Sequence, residues 1–217
     1  MRLRAATVLL TTGLLLAAAD SILAWVFPPL ARSAVTLALW VLLTGCLHLD
    51  GFLDTCDGLL GGWSPEKRLE IMRDERVGAY ALAGGVLLLL LKFSALASLP
   101  SHWGSLVMAA TLGRWGMSLA IVAFPYARPE GLGRSMKDQA GWLHAGIATF
   151  ITLVVVWLAG QLAGLALMAL AGVVVWLGAR FALRRIPGLT GDVYGALNET
   201  IELVVLLAMV ALPYSFD

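Results

Sequence analysis

Three aspartates, Asp50, Asp54 and Asp57, stand directly after an apolar run at positions i, i+4 and i+7. In an α-helix, this spacing directs all three carboxylates to one face, within about 60° of arc. Carboxylates gathered on one face repel each other, and at the end of a membrane segment they are costly as well. A hard cation relieves both costs, and Mg²⁺ takes oxygen ligands and usually bridges to substrate phosphates. The spacing therefore predicts a Mg²⁺ site formed by these three aspartates.

A fourth carboxylate, Asp74, follows a short charged segment that begins at Ser64. Ser64 and Pro65 are typical of a helix start, and the alternating charges after them favour an amphipathic helix at the membrane interface. The other charged residues of this segment have the pattern of a solvated surface: Lys67, Arg68, Glu70 and Glu75. Asp74 differs because the chain returns into an apolar run directly after it, so we predict that Asp74 is a further metal ligand.

Three cations lie in the loop between Phe124 and Lys137, which proline and glycine residues interrupt. Arg128 and Arg134 have side chains able to grip a phosphate with two hydrogen bonds, and Lys137 adds a third positive charge. The alternative interpretation is the ordinary excess of positive charge in cytoplasmic loops. We predict that Arg128, Arg134 and Lys137 bind substrate phosphates.

A third polar segment near the C-terminus carries Asp192 in a turn flanked by glycine, followed by two glutamates that enter the last apolar run. We predict that Asp192 contributes to ligand binding, because a glycine-flanked backbone can wrap around a ligand. Glu199 and Glu202 either support the metal site or pair with a cation inside the membrane, and Arg114, within another apolar run, needs such a partner. Asp20 has no cation near it in sequence, and no role is assigned to it.

The elements that must position these residues are membrane helices. The chain has 217 residues, of which 60% are hydrophobic and 13% charged, with a mean hydropathy of +0.87. Soluble domains have about 25% charged residues, and here the apolar residues come in long runs. These features predict an all-α, polytopic transmembrane helical bundle that forms one catalytic domain over residues 1–217. The net charge of +1 gives no indication of a nucleic-acid partner, and the two cysteines do not indicate a disulfide framework.

Seven spans fit the apolar runs. They are 5–27, 31–49, 79–98, 104–124, 143–160, 162–181 and 199–213. Arginine and lysine concentrate at the N-terminus and after the second, fourth and sixth spans, so the positive-inside rule places the N-terminus and all three polar segments on the cytoplasmic side. Arg2 and Arg4, ahead of an alanine-rich run, are also compatible with a signal peptide. We therefore expect an integral protein of a bacterial inner membrane, in contact with the lipid bilayer, whose active site faces the cytoplasm.

Four motifs, in this order along the chain, resemble one known family. They are His48-Leu-Asp-Gly-Phe-Leu-Asp-Thr-Cys-Asp-Gly58, Arg68-Leu-Glu-Ile-Met-Arg-Asp-Glu-Arg-Val-Gly78, Tyr126-Ala-Arg-Pro-Glu-Gly-Leu-Gly133 and Leu189-Thr-Gly-Asp-Val-Tyr-Gly-Ala196. Together they resemble the adenosylcobinamide-GDP ribazoletransferases, also called cobalamin 5′-phosphate synthases, over about residues 40–205. The resemblance implies a membrane-bound, Mg²⁺-dependent enzyme that joins adenosylcobinamide-GDP to α-ribazole or its 5′-phosphate and releases GMP.

Carried over to these residues, the resemblance implies a phosphoryl transfer that depends on positioning and charge stabilisation. The ribose 3′-hydroxyl of α-ribazole attacks the cobinamide-linked phosphorus, and Asp57 or Asp74 accepts its proton. One or two Mg²⁺ ions are held against the diphosphate by Asp50, Asp54, Asp57 and Asp74. Arg128 and Arg134 hold the phosphate of the departing GMP. The number of metal ions, the choice of proton acceptor and the formation of a homo-oligomer stay open.

Two other functions also use acids in or at the membrane. Cytidylyl-alcohol phosphotransferases carry Asp-Gly, then Ala-Arg, then two later aspartates at fixed spacing. Here Asp50-Gly51 is not followed by Ala-Arg, and the next acids come too soon. Cation transporters place acids near the bilayer midplane, in the interrupted helices of repeated halves, whereas these acids gather at one interface and the sequence shows no repeat.

Overall fold

The computed structural model describes the backbone of residues 2–212 and the side chains of residues 10–131 and 133–212. Within these ranges the chain is helical, and the one β-type pairing is an isolated parallel bridge between Tyr126 and Leu189. The predicted all-α fold is confirmed. The helices are α1 Arg2–Leu23, α2 Pro29–Leu43, α3 Leu47–Cys56 with a π-helical turn Asp57–Gly61, α4 Pro65–Ile71, α5 Ala79–Ser98, α6 Trp103–Ala123, α7 Leu132–Gln139, α8 Trp142–Leu183 and α9 Gly191–Ala211.

Helices α5, α6, α8 and α9 are each long and apolar enough to cross a membrane. A further crossing results if α2 and the segment Leu47–Gly61, which are bent by 88° relative to each other, form one broken span. The predicted spans 79–98 and 104–124 match α5 and α6 to within one residue. The count of seven spans and the cytoplasmic N-terminus stay predictions, and residue 213, the predicted end of the last span, lies outside the described residues.

Helix α8 contains a sharp break at Gln161, whose φ of 47° and ψ of −125° are not helical. A Cβ on Gly164 would clash with the carbonyl oxygen of Val156, although the same stretch of straight helix would separate the two positions by about 12 Å. The chain therefore folds back at this point. The break coincides with the predicted boundary between the spans 143–160 and 162–181.

The predicted span 31–49 is wrong at its C-terminal end, because α2 stops at Leu43. Gly45 and Cys46 follow with φ values of 61° and 60°, a backbone conformation that is uncommon for residues other than glycine. Helix α3 starts directly after this turn. Asp50 and Asp54 therefore lie on a separate short helix instead of at the end of a straight span.

Helix α9 begins eight residues before the predicted span 199–213. The Thr190 hydroxyl accepts a hydrogen bond from the Val193 amide at 3.2 Å and caps the helix. As a result, Asp192 lies in the first helical turn, where the helix dipole favours a negative charge. Glu199 and Glu202 lie well inside the helix, at positions buried in the bundle.

Helices α6 and α9 form the centre of the bundle, and small residues let α9 approach its neighbours closely. A Cβ on Gly113 of α6 would lie 2.8 Å from Asn198 Oδ1, and a Cβ on Gly195 of α9 would lie 3.0 Å from the His48 carbonyl oxygen. Close approach through small residues is the usual basis of helix packing in membranes, where lipid tails are as apolar as the helices. The start of α9 is thereby held against the start of α3, and both elements carry predicted site residues.

Candidate active site

The carboxylates of α3 meet the first turn of α9. Gly51 makes this possible, because a Cβ at that position would lie 2.8 Å from the Asp192 carbonyl oxygen. Asp54 is half-buried and is repelled by three neighbouring carboxylates, those of Asp192, Asp50 and Asp57, while Arg128 is the attractive partner. The first and third polar segments of the sequence therefore form one cluster, as predicted.

Arg128 joins the second polar segment to this cluster. One of its Nη atoms lies 2.9 Å from an Asp192 carboxylate oxygen, and the same nitrogen lies 3.4 Å from the Met72 carbonyl oxygen. Its Nε is buried without a hydrogen-bond partner among the described residues. Buried donors normally have partners, and a guanidinium presents its donors in a planar fork that suits a phosphate. This nitrogen is therefore a candidate for binding a phosphate oxygen of a ligand.

Backbone pairing fixes the loop that carries Arg128. The Ala127 amide donates to the Leu189 carbonyl oxygen at 2.8 Å, and the Leu189 amide donates to the Pro125 carbonyl oxygen at 2.8 Å. Gly188 permits this pairing, since a Cβ there would lie 2.6 Å from the Tyr126 carbonyl carbon. The position of Arg128 relative to α9 thus depends on main-chain contacts rather than on side chains alone.

Asp57 is held by the start of α5. Its two carboxylate oxygens accept hydrogen bonds from the Gly78 amide at 2.6 Å and the Ala81 amide at 2.8 Å. Orphan amides at a helix N-terminus favour a carboxylate for both hydrogen-bonding and dipole reasons. Carboxylate oxygens can accept further bonds, so the role of Asp57 as metal ligand or proton acceptor stays a prediction.

Asp74 is exposed between α4 and α5 and is paired with Arg76. Arg76 Nε and one Nη each donate to Asp74 at 2.9 Å. The Arg76 guanidinium lowers the pKa of the Asp74 carboxyl below its usual value. The predicted place of Asp74 in the metal site stays a prediction.

Arg134 and Lys137 of α7 also have protein partners. Arg134 forms an exposed two-point ion pair with Asp138, with both contacts at 2.9 Å. The Lys137 ammonium donates to the carbonyl oxygens of Ile121, Val122 and Phe124 at 2.7, 3.1 and 2.8 Å. These three bonds use all of its protons and cap the end of α6. The phosphate-binding roles of both residues stay predictions. A phosphate would displace the Asp138 partner of Arg134 more easily than the three carbonyl partners of Lys137, because the Arg134–Asp138 pair is exposed.

The donor set of α3 suits Mg²⁺ only in combination with a ligand. Among the side chains of residues 10–131 and 133–212, no three histidines, cysteines, aspartates or glutamates are grouped closely enough to hold a metal ion. Asp50 and Asp54, however, make no hydrogen bond or ion pair with another side chain in the described part of the chain. Mg²⁺ commonly binds through one or two carboxylates, with water and substrate phosphates as its other ligands. Two free carboxylates one helical turn apart fit that mode.

A buried charge network lies beneath this site, and its central residue, Lys92 of α5, was not among the predicted functional residues. The Lys92 ammonium lies 2.5 Å from Glu199 Oε2 and 2.6 Å from Glu202 Oε2, and Arg114 Nη1 lies 2.7 Å from Glu202 Oε1. Lys92 is 2% exposed and Glu202 is fully buried. A lone lysine within an apolar run of a membrane span was the available indication, because such a residue needs a partner.

The network extends to the start of α3. Asn198 Nδ2 lies 2.8 Å from Glu202 Oε1 and 3.1 Å from His48 Nδ1. His48 stands two residues before Asp50. The partner of Arg114, left open by the sequence, is thus Glu202, and the two glutamates of α9 serve a neutral ion-pair network rather than the carboxylate cluster.

The chain is similar to proteins of known name. The model of one family, described as cobalamin-5-phosphate synthase, matches residues 4–210. An adenosylcobinamide-GDP ribazoletransferase from Desulfitobacterium hafniense is 40% identical over 196 residues, which cover 87% of this chain and 77% of the relative. Relatives of the same name from Desulforamulus reducens and Geotalea daltonii are 43% and 36% identical, covering 80% and 94% of this chain and 70% and 83% of their own. No solved structure matches the chain.

Proposed function

The chain belongs to the cobalamin-5-phosphate synthase family, and on this premise we propose that it transfers adenosylcobinamide phosphate from adenosylcobinamide-GDP to α-ribazole or α-ribazole 5′-phosphate, with release of GMP. Its relatives bear the name adenosylcobinamide-GDP ribazoletransferase. The resemblance of the four sequence motifs is therefore confirmed, and the chain is a membrane-embedded transferase of cobalamin biosynthesis.

The main support for the proposed site is one cluster of side chains. In it, Asp50, Asp54 and Asp192 lie near the Arg128 guanidinium, whose Nε has no hydrogen-bond partner among the described residues. Asp54 lies near three other carboxylates, those of Asp50, Asp57 and Asp192, and Arg128 is the cation that offsets them, so the cluster is anionic. A diphosphate does not approach an anionic surface unaided. Asp50 and Asp54 would hold Mg²⁺, which when bound supplies the positive charge that neutralises the diphosphate.

The reaction forms a bond between the ribose 3′-oxygen of α-ribazole and the cobinamide-linked phosphorus. It breaks the bond from that phosphorus to the bridging oxygen, which leaves with GMP. We assign Arg128 Nε to a diphosphate oxygen, which fixes the donor in place. The proton of the 3′-hydroxyl passes to a carboxylate, Asp57 or Asp74, and Arg134 binds the GMP phosphate once it leaves Asp138. Lys137 acts from α7 and keeps the end of α6 beside this loop.

We place the site on the cytoplasmic side of the inner membrane. Arg68 lies on α4, which follows the helix that carries the carboxylates. Its Nη1 donates to the Arg185 carbonyl oxygen just after α8, so arginines lie at the same end of the bundle as the carboxylates. Basic residues concentrate on the cytoplasmic side of membrane proteins. A nucleotide-linked donor and Mg²⁺ reach the enzyme from that side.

The direct test uses protein purified into lipid nanodiscs with adenosylcobinamide-GDP, α-ribazole 5′-phosphate and Mg²⁺. GMP release and the new corrinoid are followed together by chromatography. We expect Mg²⁺-dependent product that EDTA abolishes, no product from Asp54→Asn, and full activity from Glu66→Gln, an exposed acid at the start of α4. Absence of product from folded wild-type protein would overturn the proposal, and CDP-linked lipid donors would then be assayed.

A further inference from the structure

An apolar groove lies on the side of α3 that does not carry the Asp50 and Asp54 carboxylates. It has a volume of about 420 Å³ and is walled by α3, the π-helical turn, α8 and α9. Phe52 and Thr55 contribute from α3, Leu177 and Phe181 from α8, and Leu197 from α9. The Thr55 hydroxyl is buried there without a hydrogen-bond partner among the described residues.

A second depression of about 480 Å³ adjoins this groove and gives it a cationic end. The two cavities share Leu177, Gly178 and Phe181, and the second also contains Arg180 and Arg184. The apolar groove therefore continues along α8 to the end of that helix, where the chain leaves the apolar part of the bundle.

The arginines at this end lack carboxylate partners. Arg180 lies over the Trp176 ring at 5.6 Å, Arg185 lies over the Phe181 ring at 3.6 Å, and neither they nor Arg184 forms an ion pair within residues 10–131 and 133–212. Tryptophan and arginine at the end of a membrane helix lie at the level of lipid headgroups. Unpaired guanidinium groups at that level attract anionic headgroups.

We propose that this groove binds one anionic phospholipid, with an acyl chain in the apolar part and the phosphate at Arg180 and Arg184. A phospholipid fits because its apolar acyl chain matches the apolar end of the groove and its anionic phosphate matches the cationic end. Arginine suits the phosphate because it binds two oxygens at once. The Thr55 hydroxyl is placed to donate to an ester carbonyl of the same molecule.

The bound lipid packs against the back of the helix that carries the carboxylate cluster. Phe52 and Thr55 line the groove, while Asp50 and Asp54 occupy the same helix. The bound lipid therefore packs against α3 and supports it from behind, whereas bilayer lipids only solvate the outer faces of the bundle.

The test measures lipid that stays bound to the purified full-length protein and does not depend on turnover. Protein is washed in detergent with an equimolar mixture of phosphatidylglycerol and phosphatidylcholine, and each lipid is quantified per chain by mass spectrometry. We expect one phosphatidylglycerol per chain and little phosphatidylcholine. Arg184→Gln weakens retention about fivefold, the effect of one basic residue on binding to an anionic surface. Arg73→Gln, which removes the same charge from an exposed position outside the groove, leaves retention unchanged.

Leu177→Trp tests the apolar part, because the larger ring fills the groove from an exposed position on α8. We expect it to lose the lipid, whereas Leu153→Trp, an exposed leucine of α8 outside the groove, keeps it. Unfolding temperatures close to that of the wild type show that both variants are folded. Equal retention of the two lipids, unchanged retention in both groove variants, or a dimer that Leu177→Trp dissociates would each overturn the proposal.

Discussion

The Arg128 guanidinium lies 2.9 Å from the Asp192 carboxylate and so joins the loop after α6 to the first turn of α9. The pair is mostly buried, with side-chain exposures of 13% and 20%. One side of the guanidinium thus contacts Asp192, while Nε has no hydrogen-bond partner among the described residues.

Arg128→Lys is expected to lower kcat/KM about 10–100-fold, because one ammonium cannot hold Asp192 and a phosphate in the planar two-point geometry of arginine. The fold should be kept, since a positive charge still faces Asp192. Steady-state assays at saturating and limiting adenosylcobinamide-GDP separate the effects on kcat and KM. Activity equal to that of wild type would remove Arg128 from the binding site.

Asp54→Asn is expected to abolish turnover without lowering the unfolding temperature measured in EDTA. The side chain has no stabilising hydrogen bond or ion pair in the described structure, and three carboxylates repel it. Removing a like charge stabilises such a cluster slightly. Thermal unfolding with and without Mg²⁺ checks the second part: wild-type protein should gain stability from Mg²⁺, and the variant should gain less. An equal gain in both proteins would show that the ion binds elsewhere.

Gly51→Ala is expected to destabilise the protein by about 1–3 kcal/mol, the usual cost of an overpacked core position. The new Cβ would lie 2.8 Å from the Asp192 carbonyl oxygen, a main-chain atom that cannot move aside as a side chain can. Gly146→Ala in α8 is the matched control, because nothing lies within 4 Å of its Cβ. That change should be neutral or stabilise by up to about 1 kcal/mol. Denaturation in detergent measures both, and equal stability of the two variants would contradict close α3–α9 packing.

Glu202→Gln is expected to cost about 3–5 kcal/mol, because it leaves Lys92 and Arg114 with one carboxylate between them in a buried site. Adding Lys92→Met removes the excess cation and should recover a large part of the loss. Expression level and unfolding temperature report both effects. A double variant less stable than Glu202→Gln alone would show that packing around Lys92, and not charge balance, controls this region.

The sequence predicted the parts of this fold that depend on local pattern. The apolar runs located α5 and α6, and a break at Gln161 separates the two runs within α8. The positive-inside rule also grouped the segments that carry Asp54, Asp192 and Arg128. The structure brings these three residues together, and their roles stay predictions.

Contacts between distant segments were not predictable in the same way. Asp20 has no cation near it in sequence, yet it is buried with Arg32 across the turn between α1 and α2 and lies 2.9 Å from His102 Nδ1. The Asp57 carboxylate caps α5 because the chain after α4 returns to it, which no spacing along α3 indicates. The partners of Lys92 could not be named from the sequence, because both lie on α9, more than 100 residues away.

The buried ion-pair network also sets a condition on how the chain is made. Lys92 enters the membrane 107 residues ahead of Glu199, and at about 5–20 residues per second its partner is synthesised roughly 5–20 s later. Arg114 of α6 likewise precedes its partner Glu202 by 88 residues. A lysine or arginine at a helix centre costs about 2.5–3.5 kcal/mol during insertion, and α9 is made last. The last helix therefore completes the charge balance of the two helices made before it.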